Sequence, residues 1–212
     1  MKYPEDKYKT AREERRQQIL TQAKQLFLQR GLTDVGMRDI AAACNISRQT
    51  LYKYFSGVDA IIFGIQDQIM RRFSMRDEKD LESMLRHLFD YYQKNTEDFF
   101  FISMFDVYVH THRIEEHLLR QYHTTIRQCI PAFRLTDLHS PTIDGVPAEK
   151  YVAVSVHAAW ALITRMMILG REFTEEYHIT EEESFQILCR ALCRDEHPIL
   201  PGDFKQTVSK KS

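Results

Sequence analysis

Apolar residues recur along the chain at helical spacing, without the alternation of a strand. Ile19, Ala23, Leu26 and Phe27 share one face of a first helix, and Gly31 follows where a C-terminal cap belongs. Met37 to Cys44 predicts a short second helix. Asn45 comes next, a residue that enters the left-handed region cheaply. Ser47 is placed to N-cap a third helix over Arg48–Phe55. Ser56-Gly57-Val58-Asp59 resembles a capping box. It opens a fourth helix with Val58, Ile61, Ile62, Ile65 and Ile69 on one stripe.

The pattern continues to the end of the chain. Leu81, Met84, Leu85, Leu88 and Phe89 mark a fifth helix, and Thr96 is placed to cap a sixth. Leu118, Tyr122, Ile126 and Cys129 mark a seventh, which Pro131 should end. Residues 134–147, with Pro141, Gly145 and Pro147, predict a loop. From Ala148 to about Arg171 runs a long helix that is apolar on more than one face. Thr180-Glu181-Glu182-Glu183 is a capping box for a last helix bearing Phe185, Leu188, Cys189 and Leu192. Beyond Arg194, Pro198, Pro201 and a terminal Ser-Lys-Lys-Ser predict a loose tail. No strand pattern and no internal repeat intervenes, so the fold class is all-α.

Composition narrows this further. The 212 residues are 43% hydrophobic and 28% charged, as in a globular protein, and 7 Gly with 6 Pro leave few turns for a sandwich or barrel. No apolar leader opens the sequence. The uncharged run Tyr151–Thr164, 14 residues that include His157, is too short and polar to span a bilayer. A cytoplasmic protein without a membrane partner is expected, with Cys44, Cys129, Cys189 and Cys193 reduced. The net charge of −1 hides an asymmetry: residues 1–56 hold 11 basic and 6 acidic side chains (+5), the remainder 18 and 24 (−6). A basic end on an acidic body points to a polyanionic partner.

Met37–Phe55 reads as helix, short turn, helix. Ile40, Ala41, Cys44, Ile46, Leu51 and Phe55 can face inward, and the small Ala41 lets the two helices cross closely. Arg48, Gln49, Thr50, Tyr52, Lys53 and Tyr54 are left outward on the second helix. Arg and Gln suit paired hydrogen bonds to base edges, and a Thr methyl suits thymine. Lys and Tyr suit phosphates. Entering a groove by the helix N-terminus would put Arg48 and Gln49 deepest.

These residues carry a resemblance. The run from Ile19 through Ile62 resembles the TetR-type transcriptional regulators. The matching elements are Ile19-Leu20, Ala23, Leu26-Phe27, Gly31, Arg38-Asp39-Ile40-Ala41, Ile46-Ser47 and Thr50-Leu51-Tyr52-Lys53-Tyr54-Phe55, with Asp59 beyond. Two positions depart from the family's pattern. Gly36 stands where Thr or Ser is usual, leaving a backbone amide as phosphate donor, and Val58 stands where a phosphate-reaching Lys is frequent. The DNA-contacting set is therefore Gly36, Met37, Arg38, Ser47, Arg48, Gln49, Thr50, Tyr52, Lys53 and Tyr54.

The resemblance implies a three-helix helix-turn-helix DNA-binding domain at 10–56. A larger helical ligand-binding and dimerisation domain would follow at 57–195, then a flexible tail at 196–212. It implies a ligand-responsive repressor that binds a palindromic double-stranded DNA operator as a homodimer. A small-molecule inducer would sit against Phe100, Phe101, Met104, Phe105, Tyr108, Tyr122, Ile126, Trp160, Ile163 and Met167, with His112 and His157 as polar handles. The resemblance places the dimer face on the last two helices, at Val152, Ser155, Val156, Ala159, Phe185, Leu188, Cys189 and Leu192, and the two-faced helix from Ala148 independently asks for a second subunit. No cofactor, catalytic set or metal site is assigned. Gly31–Gly36 lacks the Lys-Ser/Thr of a phosphate loop. His110, His112, Glu116 and His117 lack four-ligand spacing, and Cys189 with Cys193 fits packing. The chain is not expected to be an enzyme. The alternative is a helical small-molecule-binding protein that no longer binds DNA, and Gly36 and Val58 keep it open.

Overall fold

The computed structural model describes residues 4–75, 77–78, 80–130, 142–143 and 146–193. The predicted loose tail and most of the predicted loop at 134–147 lie outside the described residues. Ten helices and one two-stranded ladder are described: α1 Pro4–Arg30, α2 Met37–Ala43, α3 Arg48–Tyr52, α4 Val58–Phe73, α5 Leu81–Lys94, α6 Thr96–Thr111, α7 Glu116–Cys129, β1 Thr142–Ile143, β2 Val146–Pro147, α8 Ala148–Leu169, α9 Arg171–Tyr177 and α10 Glu181–Leu192. The fold is all-α, as the spacing predicts.

Local chemistry explains most boundaries. Gly31 ends α1 at φ 87°, a value its lack of Cβ allows. Asn45 turns the chain between α2 and α3 at φ 51°. The Ser47 hydroxyl accepts from the Thr50 amide at 3.0 Å and caps α3. α3 stops at Tyr52 rather than Phe55. The Lys53 and Tyr54 amides donate to Thr50 and Leu51, three residues back, which tightens the last turn out of α-helical form. Thr180 caps α10 by accepting from the Glu183 amide at 3.1 Å.

Two further expectations change, at Thr96 and in the loop, and two features join them in α8. Thr96 does not cap α6. It is the first helical residue, and its hydroxyl donates back to the Tyr92 carbonyl at 3.2 Å. The segment read as loop contains an antiparallel pairing of Thr142 with Pro147 and Ile143 with Val146. The long helix breaks at Gly170 (φ 54°) and resumes as α9, which buries nothing and so lacks a periodic signal. Finally, Lys150–Leu169 as a whole is long and apolar enough to cross a membrane by length and composition, although its uncharged run is not. Val152, Val156, Ala159, Ile163 and Met166 in that helix are buried against protein.

The chain forms two compact units. The first comprises residues 1–69 and 100–122. Its core draws Ile19, Leu20, Ala23 and Phe27 from α1, Ile40 and Ala41 from α2, and Leu51 from α3. Ile61 and Ile62 of α4 and Phe101 and Phe105 of α6 complete it. Gly64 lets α4 approach α1, since a Cβ there would lie 3.1 Å from Leu20 Cδ2. The second unit comprises residues 70–99 and 123–212. Phe89 of α5 stacks on Phe185 of α10 at 4.3 Å between centroids. Phe99 stacks on Trp160 of α8 at 4.5 Å, and Phe73 meets Trp160 edge-on.

Two outcomes follow from these contacts. Ser47→Ala removes the α3 cap and should lower unfolding free energy by about 0.5–2 kcal/mol in urea titrations. Phe99→Ala empties a fully buried site and should cost about 3–5 kcal/mol. Trp160, the only tryptophan, reports it directly: its native emission should shift to the red. An unchanged urea midpoint would contradict either assignment.

Candidate nucleic-acid interface

The helix-turn-helix is built from below. α3 has five residues, too few to be stable alone, so Leu51 at 0% exposure and Phe55 at 4% hold it in place. With those side chains inside, Arg48, Gln49, Tyr52 and Lys53 stand exposed, as does Arg38 in the first turn of α2. Tyr52 is 55% exposed. The cations Arg38, Arg48 and Lys53 give this surface a positive field.

Other members of the expected DNA-contacting set are placed differently. Ser47 is exposed, and its hydroxyl caps α3 and pairs with the Thr50 hydroxyl at 2.9 Å. Thr50 and Tyr54 are half-buried, Tyr54 in a cleft of about 450 Å³ with Arg12, Glu13 and Arg16. Met37 is buried at 9% exposure, so its side chain belongs to the core and not to the outer surface. The Gly36 amide is also engaged, donating to Asp39 Oδ2 at 2.9 Å. This is the reciprocal half of a capping box, in which the N3 side chain accepts from the N-cap amide, and Gly36 has no side chain to supply the other half. Asp39 also meets Arg30 at 3.1 Å, and Arg30 donates to the Asp34 carbonyl at 2.7 Å. The Gly36 amide first, then Arg30, hold the Asp39 carboxyl below its ordinary value.

Three arginines of α1 anchor this motif and are read from the sequence only as bulk charge. Arg12 donates to the Lys53 carbonyl at 3.3 Å, and Arg15 to the Cys44 carbonyl at 3.4 Å. The Arg16 guanidinium lies over the Phe55 ring at 5.1 Å. These bonds satisfy carbonyls at the ends of α2 and α3. Their only signal in the sequence is basic residues at helical spacing on α1.

The expected ligand-contacting residues divide between the units. In the first, Phe101 and Phe105 are fully buried, and Phe63, Phe105 and Tyr122 form a triad of touching rings. Phe100 turns outward at 42% exposure. Met104 and Tyr108 line an apolar groove of about 350 Å³ with Leu32, Thr33 and Val107. His112 stacks on Tyr108 at 4.2 Å. In the second unit, Ile163 lies in the core, Trp160, Ile126 and Met167 are half-buried, and His157 is exposed. Of the expected dimer residues, Val152, Ser155, Val156, Ala159 and Phe185 are at most 5% exposed within one chain. Val152, Ser155, Val156 and Ala159 lie on the inward face of α8, and Phe185 on that of α10. Leu188, Cys189 and Leu192 are half-buried. Among the described residues, no three His, Cys, Asp or Glu gather to hold a metal.

The family described as bacterial regulatory proteins, tetR family, matches residues 19–64. No curated protein sequence matches the chain. Solved structures share the fold. The fatty acid degradation regulator FadR from Bacillus halodurans is 12% identical, with 85% of this chain and 99% of that one covered and a TM-score of 0.57. A TetR-family transcriptional regulator from Haemophilus influenzae RD is 14% identical, covering 86% and 97%, with a TM-score of 0.52. From Ile19 to Gly64 the chain therefore carries the amino-terminal helix-turn-helix DNA-binding domain of the TetR family, followed by a helical domain as in solved regulators of that type.

Proposed function

We propose that this protein is a ligand-responsive transcriptional repressor of the bacterial cytoplasm that binds a palindromic operator as a homodimer. One observation carries the reading. Burial of Leu51 leaves Arg48, Gln49, Tyr52 and Lys53 together on the open side of α3. A helix of this kind enters the major groove by its N-terminal end, with Arg48 and Gln49 at base edges and Lys53 at phosphate. In this reading residues 10–56 bind DNA and 57–195 sense ligand and dimerise. No catalytic role is assigned.

Dimerisation draws support from the outer face of α8. Val154 at 67% exposure, Ala161 and Ile168 at 61% recur every seven residues. They lie opposite the buried Val152, Ser155, Ala159 and Ile163. Ile187 of α10 is also 57% exposed. A heptad-spaced apolar stripe of this kind suits a partner helix. Two subunits related by a two-fold axis would present their α3 helices to half-sites about one helical turn, or a multiple of it, apart.

Ligand control would act as a population shift between poses of α4, the helix that follows the DNA-reading motif. Tyr108 of α6 donates to Asp59 Oδ1 at 2.6 Å, tying the first turn of α4 to a helix that bears expected ligand residues. The alternative, a binding protein without DNA affinity, draws on the engaged Gly36 amide and on Val58. It is told apart by duplex binding at low salt, which the repressor shows and the alternative does not.

Arg48→Ala should weaken operator binding by about 1–3 kcal/mol and relax preference at one base pair. Lys53→Ala should weaken all sequences alike and reduce the salt slope by about one. Fluorescence anisotropy over operator variants and salt concentrations separates the two. Unchanged discrimination with Arg48→Ala would remove the base-reading role. Ile168→Glu should convert the dimer to a monomer in sedimentation velocity while circular dichroism stays helical. A dimer that survives the change would place the interface elsewhere.

A further inference from the structure

Gln66 stands in the middle of α4 at 1% exposure, on a helix whose other buried positions include Ile61, Ile62, Ile65 and Ile69. Neither its Oε1 nor its Nε2 has a hydrogen-bond partner among the described residues. A carboxamide offers two donors and two acceptor lone pairs. Enclosing it unpaired forfeits its hydration with nothing in return, and such groups are rare in folded proteins. An apolar side chain would fill the same space without that penalty.

The surroundings define what could meet it. Phe63 lies three residues before Gln66, hence on the same face of α4. It heads the ring triad with Phe105 and Tyr122. Burial first, and then the charge of Asp106, push the Tyr122 hydroxyl up to about 12, so it stays protonated. A neutral carboxamide on the same helical face as Phe63 offers no counter-charge to an anion.

We propose that Gln66 recognises the polar group of the effector, and that this group is a neutral amide-type function carried on an aromatic body. A carbonyl on the ligand would accept from Gln66 Nε2 while an N–H beside it donates to Oε1. The rings of Phe63, Phe105 and Tyr122 would pack against the apolar part. The inference rests on the ligand-responsive reading above and supplies its chemistry. It also gives the ligand a hold on α4 itself, which starts three residues after Phe55 of the DNA-reading motif.

The test uses the full-length protein and a matched pair of probes, 2-naphthamide and 2-ethylnaphthalene, in calorimetric titrations. The wild type should bind the amide about tenfold or more tighter than the hydrocarbon. Gln66→Leu should abolish that preference, keep affinity for the hydrocarbon, and raise the denaturation midpoint of the free protein, because the unpaired amide is gone. Absence of preference in the wild type, whether both probes bind or neither does, overturns the proposal. So does a Gln66→Leu protein that is less stable or unfolded, since the amide then has a structural partner. A crystal structure in which ordered water meets both amide atoms overturns it as well. Failure of the repressor reading shows separately, as a wild-type protein with the amide preference but no salt-dependent affinity for duplex DNA.

Discussion

The surface offered by α3 depends on the burial of Leu51. Five residues make a little more than one helical turn, and no helix of that length is stable in water by its own hydrogen bonds. It exists here because Leu51 is sealed to 0% exposure with Phe55 beside it, and because Ile40 and Ala41 of α2 are buried in the same unit. Ser47 satisfies one free amide at its start, and Arg12 one free carbonyl just past its end. Once the inner face is fixed, the helical period sets which residues look out. The side chains suited to base edges are thus selected by packing on the opposite side of the same turn.

α8 poses the same problem on a larger scale. A helix rich in apolar residues on every side cannot be satisfied by one core. In this chain its inward face takes Val152, Ser155, Val156, Ala159, Ile163 and Met166, which leaves Val154, Ala161 and Ile168 uncovered. The first set packs against α5 and α10 within its unit, and the second stays exposed. Each face has its own stripe, and the heptad spacing of the outer one is its distinguishing mark.

Much of this was legible in the residues. Gly31, Asn45, Ser47 and Thr180 each announce a chain reversal or a cap through their own stereochemistry, and the structure uses each of them as such. Local signals fail where two demands compete. Thr96 has capping chemistry, but with one residue between α5 and α6 its hydroxyl is taken by Tyr92. Met37 follows the turn yet fills the core, because helical position and side-chain direction decide burial and residue type does not. The inner and outer stripes of α8 are both apolar, so the pattern signals two faces without saying which one turns inward. Arg12, Arg15 and Arg16 act through backbone carbonyls and a ring far along the chain, contacts with no local pattern. The unpaired amide of Gln66 likewise shows only once its neighbours are in place.

The central claim is that α3 reads a major groove and that a second copy does the same on the other half of a symmetric site. Selection of bound duplexes from a random oligonucleotide pool tests both parts at once. The account predicts enrichment of an inverted repeat whose half-site centres lie about 10–10.5 base pairs, or a multiple, apart. Recovery of no motif, or of a single unrepeated one, would contradict it.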